Sequence, residues 1–205
     1  PKSSVTGQIH NLIPFILFPD LVLHIKASGE FDKINLEEFL TSTDENEKSQ
    51  SFKIPCFLDL NIRAMIHKFN YKKFEADNFS GLFYVNNCRL TSDDFYFNTA
   101  NGKVRGDFQL SNSGDEKMNL VVNTTLMNID IDKLFYEFDD FGQKIIKSNQ
   151  IKGKLNAALD FKGTWDKKLN FESENMDVDA IISIENGELN KLKSLTDISN
   201  YLKSN

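Results

Sequence analysis

The side chains of this chain that could do chemistry are scattered, and their spacing matches no catalytic or metal-binding motif. The three histidines, His10, His24 and His67, are too widely separated to form the framework of a zinc site. The two cysteines, Cys56 and Cys88, belong to no CxxC pair and have no histidine cluster nearby. We expect them to be small buried hydrophobic residues that do not pair, although an oxidising compartment would permit a disulfide.

Carboxylates are the other candidates, because paired aspartates occur at residues 93–94 and 139–140. Both pairs are adjacent in sequence and fall in turn-like or helix-edge segments, which indicates solvated surface charge. Asn128, Asp130 and Asp132 alternate, but they lack the glycine and bidentate glutamate of a calcium loop, so the two aspartates are expected to cap the following helix. The sequence also lacks a Walker loop, GxSxG, HExxH and a dinucleotide-binding turn. It therefore predicts a protein that is not an enzyme and uses no cofactor or metal.

The composition is that of a folded globular protein. Hydrophobic residues make up 40% of the chain and charged residues 26%. The net charge of -6 and the lack of a basic stripe argue against nucleic acid as a partner. Phenylalanine is over-represented, with 18 residues against one Trp and five Tyr. Because Phe has no polar group, these rings are expected in a core or on an apolar binding surface.

The dominant pattern is a period-two alternation of apolar and polar residues, which is typical of strands with one solvated face. Over residues 58–66 the apolar set is expected on the buried or concave face and the polar set outside. The apolar set is Leu58, Leu60, Ile62, Ala64 and Ile66, and the polar set is Asp59, Asn61 and Arg63. Similar alternation occurs over residues 21–28, 104–110, 118–126, 151–162 and 178–184. The pattern predicts a mainly β fold with a long, curled, mostly antiparallel, groove-like sheet.

Two or three short amphipathic helices are expected to interrupt this sheet. Apolar residues recur at helical spacing over 34–40, 132–146 and 193–203, and Asn35 is placed to cap the first. Asn-Gly pairs at residues 101–102 and 186–187 predict short hairpin turns.

Residues 1–205 read as a single β-rich module. The apolar residues 9–23 include two prolines and an aspartate, and this stretch is too short to span a bilayer. Because the chain begins at Pro1 without an initiator Met, we expect it to be a fragment of a longer protein.

The C-terminal part resembles the C-terminal region of AsmA-like proteins of Gram-negative bacteria, in particular the Bacteroidetes-like versions. The resemblance is carried by “IDIDKLF” (129–135), “IKGKLNAALDFKGTWDKKLN” (151–170) and “VDAIISIENGELNKLKSLTDISNYL” (178–202). The segment “FYFNTANGKVRGDFQLSN” (95–112) looks like the strand–turn–strand unit that precedes them. The match is best over residues 79–203 and supplies no catalytic residue.

That resemblance implies a location and a role. AsmA-like proteins are tethered to the inner membrane, project into the periplasm and take part in outer-membrane biogenesis. Their fold is similar to that of chorein-type bridge-like lipid transfer proteins, whose curled sheet forms an apolar groove. We therefore expect a periplasmic segment that shields or transfers phospholipid acyl chains or docks other envelope proteins. Contact with the membrane is expected only through the missing part of the parent protein.

The alternative is a structural or protein-interaction module with a closed core and no ligand, and periodicity alone fits both readings. If the face is a groove, its expected lining is a set of apolar residues from five predicted strands. These residues are Leu60, Ile62, Phe108, Leu120, Val122, Leu155, Leu159 and Ile182.

Overall fold

A computed structural model of the chain describes residues 3–18, 21–41, 53–113, 117–166 and 171–190. These residues form one open sheet of nine strands and three short helices. The strands are β1 (Ser3–His10), β2 (Leu23–Asn35), β3 (Leu58–Tyr71), β4 (Phe74–Asn86), β5 (Arg89–Thr99), β6 (Gly102–Ser113), β7 (Lys117–Asp130), β8 (Ile151–Asp166) and β9 (Asp177–Leu189). The helices are α1 (Leu12–Leu17), α2 (Leu36–Thr41) and α3 (Ile131–Glu137).

The strands lie side by side in the order of the sequence, from β1 at one edge to β9 at the other. Seven of the eight neighbouring pairs are antiparallel, and β2 and β3 are parallel. The predicted mainly β, mostly antiparallel sheet is therefore confirmed. The expected helix over 193–203 lies outside the described residues.

The register places residues of the same kind opposite each other across the sheet. One row runs through Ile9, Ile25, Leu60, Val85, Leu90, Leu110 and Leu120. The next row runs through Gly7, Ala27, Ile62, Phe83, Ser92, Phe108, Val122, Phe161 and Val178. Ala64 and Ile66 are buried, whereas Arg63 on the other face is exposed. The predicted faces of β3 are thus confirmed.

Several strands change phase and still keep their apolar residues on one face. In β4 and β7 the step between apolar residues is three instead of two, and Asn78 and Asn128 occupy it with φ of 54° and 55°. In β5 a register shift between Ser92 and Phe95 has the same effect. Asn is among the residues that tolerate a left-handed backbone, so it can form these irregularities at low cost.

Two local predictions need correction. The helix expected over 132–146 ends at Glu137, because Asp139, Asp140 and Phe141 have positive φ and leave the helical region. The Asn-Gly pair at 186–187 does not form a hairpin but lies within β9, where Asn186 has a φ of 52° and β9 has one extra residue relative to β8. The pair at 101–102 does join two antiparallel strands, with Asn101 in the turn and Gly102 opening β6.

The prediction that aspartates cap α3 is correct for their position at the start of the helix but not for their hydrogen bonds. Asp130 is the N-cap residue, but its side chain makes no capping hydrogen bond. Its carboxylate instead accepts hydrogen bonds from Lys154 Nζ at 2.6 Å and Asn101 Nδ2 at 2.7 Å. The hydrogen-bonded Lys154 ammonium lowers the pKa of Asp130, and the pair links the end of β7 to β8.

The core lies between α3 and the sheet. Ile129 is completely buried, and Ile131 and Leu134 pack with it against Phe95 and Leu155 from neighbouring strands. α3 therefore covers the apolar side of β5 to β8 near the strand ends from which it emerges.

Cys56 and Cys88 form a disulfide, so the prediction that they do not pair is wrong. The register of β3 against β4 places the residues before β3 beside the turn after β4, and the two Cα atoms are 4.1 Å apart. Cys56 is also exposed, not buried. The pairing depends on a register that isolated cysteines do not reveal.

The disulfide closes a loop with a sequence separation of 32 residues. Because it restricts the unfolded chain, we expect the variant Cys56→Ser/Cys88→Ser to lose about 3–4 kcal/mol of unfolding free energy, as measured by urea denaturation. Wild-type protein in excess reductant should match the double variant. Titration of two free thiols in native, unreduced protein would contradict the pairing.

Candidate functional site

The candidate site is the apolar face, which we define as the side of the sheet that carries the rows described above. With eight inter-strand spacings of about 4.8 Å, this face extends about 38 Å across the strands. At the β1 edge it ends in Val5 and Ile9, which are 59% and 53% exposed. At the β9 edge it includes Ile182, which is 59% exposed. The apolar surface therefore reaches both edges of the sheet.

Phenylalanine rings form the middle of the apolar face. Seven rings from β3 to β6 are linked by contacts between neighbouring ring centroids of 5.4–6.4 Å: Phe69, Phe74, Phe79, Phe83, Phe95, Phe97 and Phe108. The ring of Phe79 is within 13° of parallel to those of Phe83, Phe95 and Phe97. Much of the phenylalanine excess thus lies on one surface.

Several Phe rings of the apolar face, within this group and outside it, lie over glycines of their own strands. A Cβ atom on Gly81 would stand 2.9 Å from the ring of Phe83, and one on Gly29 would stand 2.7 Å from the ring of Phe31. On β8, a Cβ atom on Gly163 would lie 2.7 Å from the ring of Phe161. Because the glycines leave this room, the rings can fold down along the strands. The rings therefore lie flat on the sheet, and we call this layer of rings the Phe floor.

One polar group lies within this floor. Ser92 stands in the row between Phe83 and Phe108, is 1% exposed, and its hydroxyl has no hydrogen-bond partner among the described residues. Leaving a buried hydroxyl unpaired is unfavourable. The small side chain does fit beneath the rings, where a larger residue would lift them.

The described residues cover only part of the apolar face. α3 has seven residues, so it is about 10 Å long against a face of about 38 Å. At the opposite ends of the strands, residues 53–57 cross towards β6, where Asn112 exchanges two hydrogen bonds with the backbone of Ile54, at 3.0 and 3.2 Å. Between these two covers, Leu60, Ile62 and Leu120 remain partly exposed.

The eight residues predicted to line a groove all lie on the apolar face. Leu60, Ile62, Leu120, Leu159 and Ile182 are partly or largely exposed. Phe108 and Val122 are half-buried and pack against the core beneath α3, and Leu155 is part of that core at 7% exposure. The structure therefore brings the set together on one surface, with Leu155 positioned as a core residue.

Sequence reasoning missed the central rings on β4 and β5, including Phe79, Phe83, Phe95 and Phe97. The three-residue steps in these strands break the period-two pattern that identified the others. A signal was present in the repeated spacing Gly-x-Phe at residues 29–31, 81–83 and 106–108.

The opposite face carries contacts between charged or polar side chains of neighbouring strands, among apolar residues such as Met65 and Ile181. Arg105 Nε lies 2.8 Å from Asp94 Oδ1, and His24 and His67 lie 2.8 Å from Asp59 and Glu30. Within the described ranges, no three His, Cys, Asp or Glu side chains are grouped to hold a metal ion. No helix in the described part of the chain has the length and apolar character needed to cross a bilayer.

Glu137, at the end of α3, is the one half-buried carboxyl with a raised pKa among the described residues, and burial is the main cause. Thr99 Oγ1 lies 2.7 Å from Glu137 Oε2 and 2.7 Å from the carbonyl oxygen of Glu75. A hydroxyl has one proton to donate. The Thr99 hydroxyl therefore donates to only one of these oxygens at a time, and its hydrogen bond to Glu137 lowers the pKa of that carboxyl against the larger effect of burial.

No family model, no curated protein and no solved structure matches this chain. The resemblance to AsmA-like proteins therefore stays a prediction, and the functional argument depends on the geometry of the two faces.

We expect Glu137→Gln to change the pH dependence of stability. A raised native pKa means that the folded state binds more protons than the unfolded state, so stability is lost as pH rises through the native pKa. The unfolding free energy of Glu137→Gln minus that of wild type should therefore increase from pH 4 to pH 7, as measured by urea denaturation. A difference that decreases over this range would contradict the assignment.

Asp139→Asn provides a control of opposite sign two residues along the chain. The Lys73 ammonium, 2.5 Å away, lowers the pKa of the Asp139 carboxyl. Its contribution is present above the unfolded pKa and is lost as pH falls. The unfolding free energy of wild type minus that of Asp139→Asn should therefore decrease at acidic pH. The unfolding free energy of Glu137→Gln minus that of wild type should also decrease there, so the two variants change in opposite directions relative to wild type.

Proposed function

We propose that this chain is a non-enzymatic module whose apolar face shields the acyl chains of phospholipids or similar lipids. The single observation that carries the proposal is the continuity of apolar rows from β1 to β9, which the described residues cover only in part. Apolar surface that reaches both edges of a sheet and exceeds a few hundred Å² is typical of a surface that binds something. Lipid chains fit a face without polar groups better than a ligand that needs hydrogen bonds does.

The shape of the face favours a long, flexible apolar ligand. Its uncovered strip runs across the strands, between α3 at one set of strand ends and residues 53–57 at the other. Each CH₂ group that leaves water for this strip contributes about 0.8 kcal/mol. A chain lying over the Phe rings therefore gains affinity along its length without a specific polar contact.

We further propose that the module works in an oxidising compartment as a segment of a membrane-tethered, AsmA-like envelope protein in the periplasm. The Cys56–Cys88 disulfide supports such a compartment, because disulfides persist mainly outside the cytosol. The resemblance over residues 79–203 and the nine-stranded open sheet are compatible with the groove-like sheet of that family. Docking of other envelope proteins on the same face is the alternative role.

Binding can be tested on the unmodified protein because its one tryptophan, Trp165, lies at the site. Trp165 is on the apolar face opposite Met118 and contacts Phe161 and Phe171. We expect a brominated fatty acid, used below its micelle concentration, to quench Trp165 fluorescence saturably. An unbrominated fatty acid should displace it. Failure to quench, together with lipid-free protein in native mass spectrometry after bacterial expression, would leave the closed-core module as the function.

A charged substitution on the apolar face should remove binding. Leu120→Glu places a carboxylate between Leu110 and Gly163, where desolvation opposes a bound chain. We expect affinity for the fatty acid to fall by about tenfold or more, a loss of about two CH₂ contacts. Val121→Glu is the matched control, because Val121 lies on the opposite face between Gln109 and Lys162.

Thermal unfolding followed by circular dichroism separates loss of binding from loss of folding in both variants. Equal loss of affinity in folded Leu120→Glu and Val121→Glu would show that the apolar face is not the binding surface. If Leu120→Glu does not fold, the fluorescence experiment on wild type still decides the proposal.

A further inference from the structure

Among the described residues outside the sheet, the largest group of exposed apolar side chains lies between β1 and β2. Residues 12–18 read Leu-Ile-Pro-Phe-Ile-Leu-Phe, without a polar side chain. Ile13, Ile16 and Leu17 are 71%, 69% and 66% exposed. Phe15 is half-buried, and its ring centroid lies 5.7 Å from that of Phe57. We call residues 12–18 the α1 tip.

The α1 tip is apolar around its whole circumference. Successive helical residues are about 100° apart, so the apolar residues Leu12, Ile13, Pro14 and Phe15 point in four directions around the axis. A groove on a protein partner covers one side of such a helix and leaves the rest in water. A helix that is apolar all round is typical of surroundings that are apolar on every side, as in lipid hydrocarbon.

Two backbone N–H groups of the tip are satisfied by local hydrogen bonds, which lowers the cost of their entry into hydrocarbon. The Phe15 N–H donates to the Asn11 carbonyl at 2.8 Å, and the Phe18 N–H donates to the Pro14 carbonyl at 2.8 Å. Pro14 has no N–H to satisfy. The six-residue helix is about 9 Å long, which is comparable to the depth of about 5–10 Å at which interfacial helices lie.

The position of the tip connects it with the apolar face. Ile9, just before the tip, lies opposite Ile25, which is followed in the same row by Leu60. The tip thus stands at the β1 edge, where the apolar face reaches the end of the sheet. Residues 11–23 contain no Lys or Arg and one acidic residue, Asp20. Attraction to anionic headgroups is therefore not the source of binding.

We propose that the α1 tip inserts into the hydrocarbon boundary of a lipid bilayer and so fixes the β1 edge of the sheet to a membrane surface. Insertion removes Ile13, Ile16 and Leu17 from water on every side. It requires no ligand on the apolar face, so this proposal does not rest on the proposed function.

The experiment is flotation of the full chain with phosphatidylcholine vesicles. We expect wild type to float with the vesicles and Ile13→Glu/Ile16→Glu to bind at least about tenfold more weakly, because carboxylates replace two apolar side chains that insertion removes from water. Ile145→Glu/Ile181→Glu is the control, with the same added charge at residues that are 77% and 80% exposed. The control should bind like wild type. Added phosphatidylglycerol should not increase wild-type binding.

A fluorescence measurement reports the depth of the tip directly. In a Trp165→Phe background, Ile16→Trp provides a single tryptophan on the tip, and vesicles should shift its emission to shorter wavelength. The same vesicles should leave the emission of Ile181→Trp in that background unchanged. An unshifted Ile16→Trp emission, or equal loss of flotation in the tip and control variants, would overturn the proposal.

Two outcomes identify other roles for the tip and overturn membrane insertion. If the wild type does not float but forms dimers that Ile13→Glu/Ile16→Glu abolishes in sedimentation, the tip is a contact between copies of this chain. If the protein neither floats nor associates, the tip does not bind a membrane. Fatty-acid quenching of Trp165 distinguishes this proposal from the previous one, because the tip variant should retain it and Leu120→Glu should retain flotation.

Discussion

The registration of apolar residues across nine strands is the constraint on which the rest of the structure depends. Side chains alternate between faces along a strand, so a shift of one residue in any pair would exchange the faces of every following strand. Leu60, Leu90 and Leu120 come from three strands and still lie in one row. The Phe floor, the buried contact of α3 and the polar ion pairs all require that this registration hold.

The sequence predicts those parts of the fold in which apolar and polar residues alternate strictly along a strand. β3, β6 and β8 alternate without interruption over most of their length, and their faces could be assigned directly. β4 and β5 contain three-residue steps at Asn78 and between Ser92 and Phe95, which restore the face in three dimensions but remove the pattern in sequence. β1 is exposed along its whole length and has only two large apolar residues in alternation, Val5 and Ile9, which is too short a pattern to predict a strand.

The sequence predicted that the candidate site is an apolar face, but it did not show how many residues belong to that face. The apolar positions of strands with regular alternation, such as Ile62 and Leu120, could be placed on one face from sequence. The rings of Phe79 and Phe95 could not, because the three-residue steps in β4 and β5 hide which face they lie on. Leu155 was placed on the correct face, but only the tertiary position of α3 determines that it is covered. The disulfide also follows from registration between β3 and β4, which no local pattern encodes.

Among the described residues, the elements that lie over the apolar face leave part of it exposed to water. A closed core covers its apolar surface with its own elements, but a helix of about 10 Å cannot cover a face of about 38 Å. The Phe rings reduce the exposed area by folding onto the glycines and onto each other, and they leave a flat apolar floor. A species that binds this floor in the folded state stabilises it in proportion to the logarithm of its concentration over its dissociation constant. Stability and occupancy of the apolar face are therefore linked. The opposite face does not share in this linkage, since its pairs, such as Arg105 with Asp94, are solvated whether or not the other side is filled.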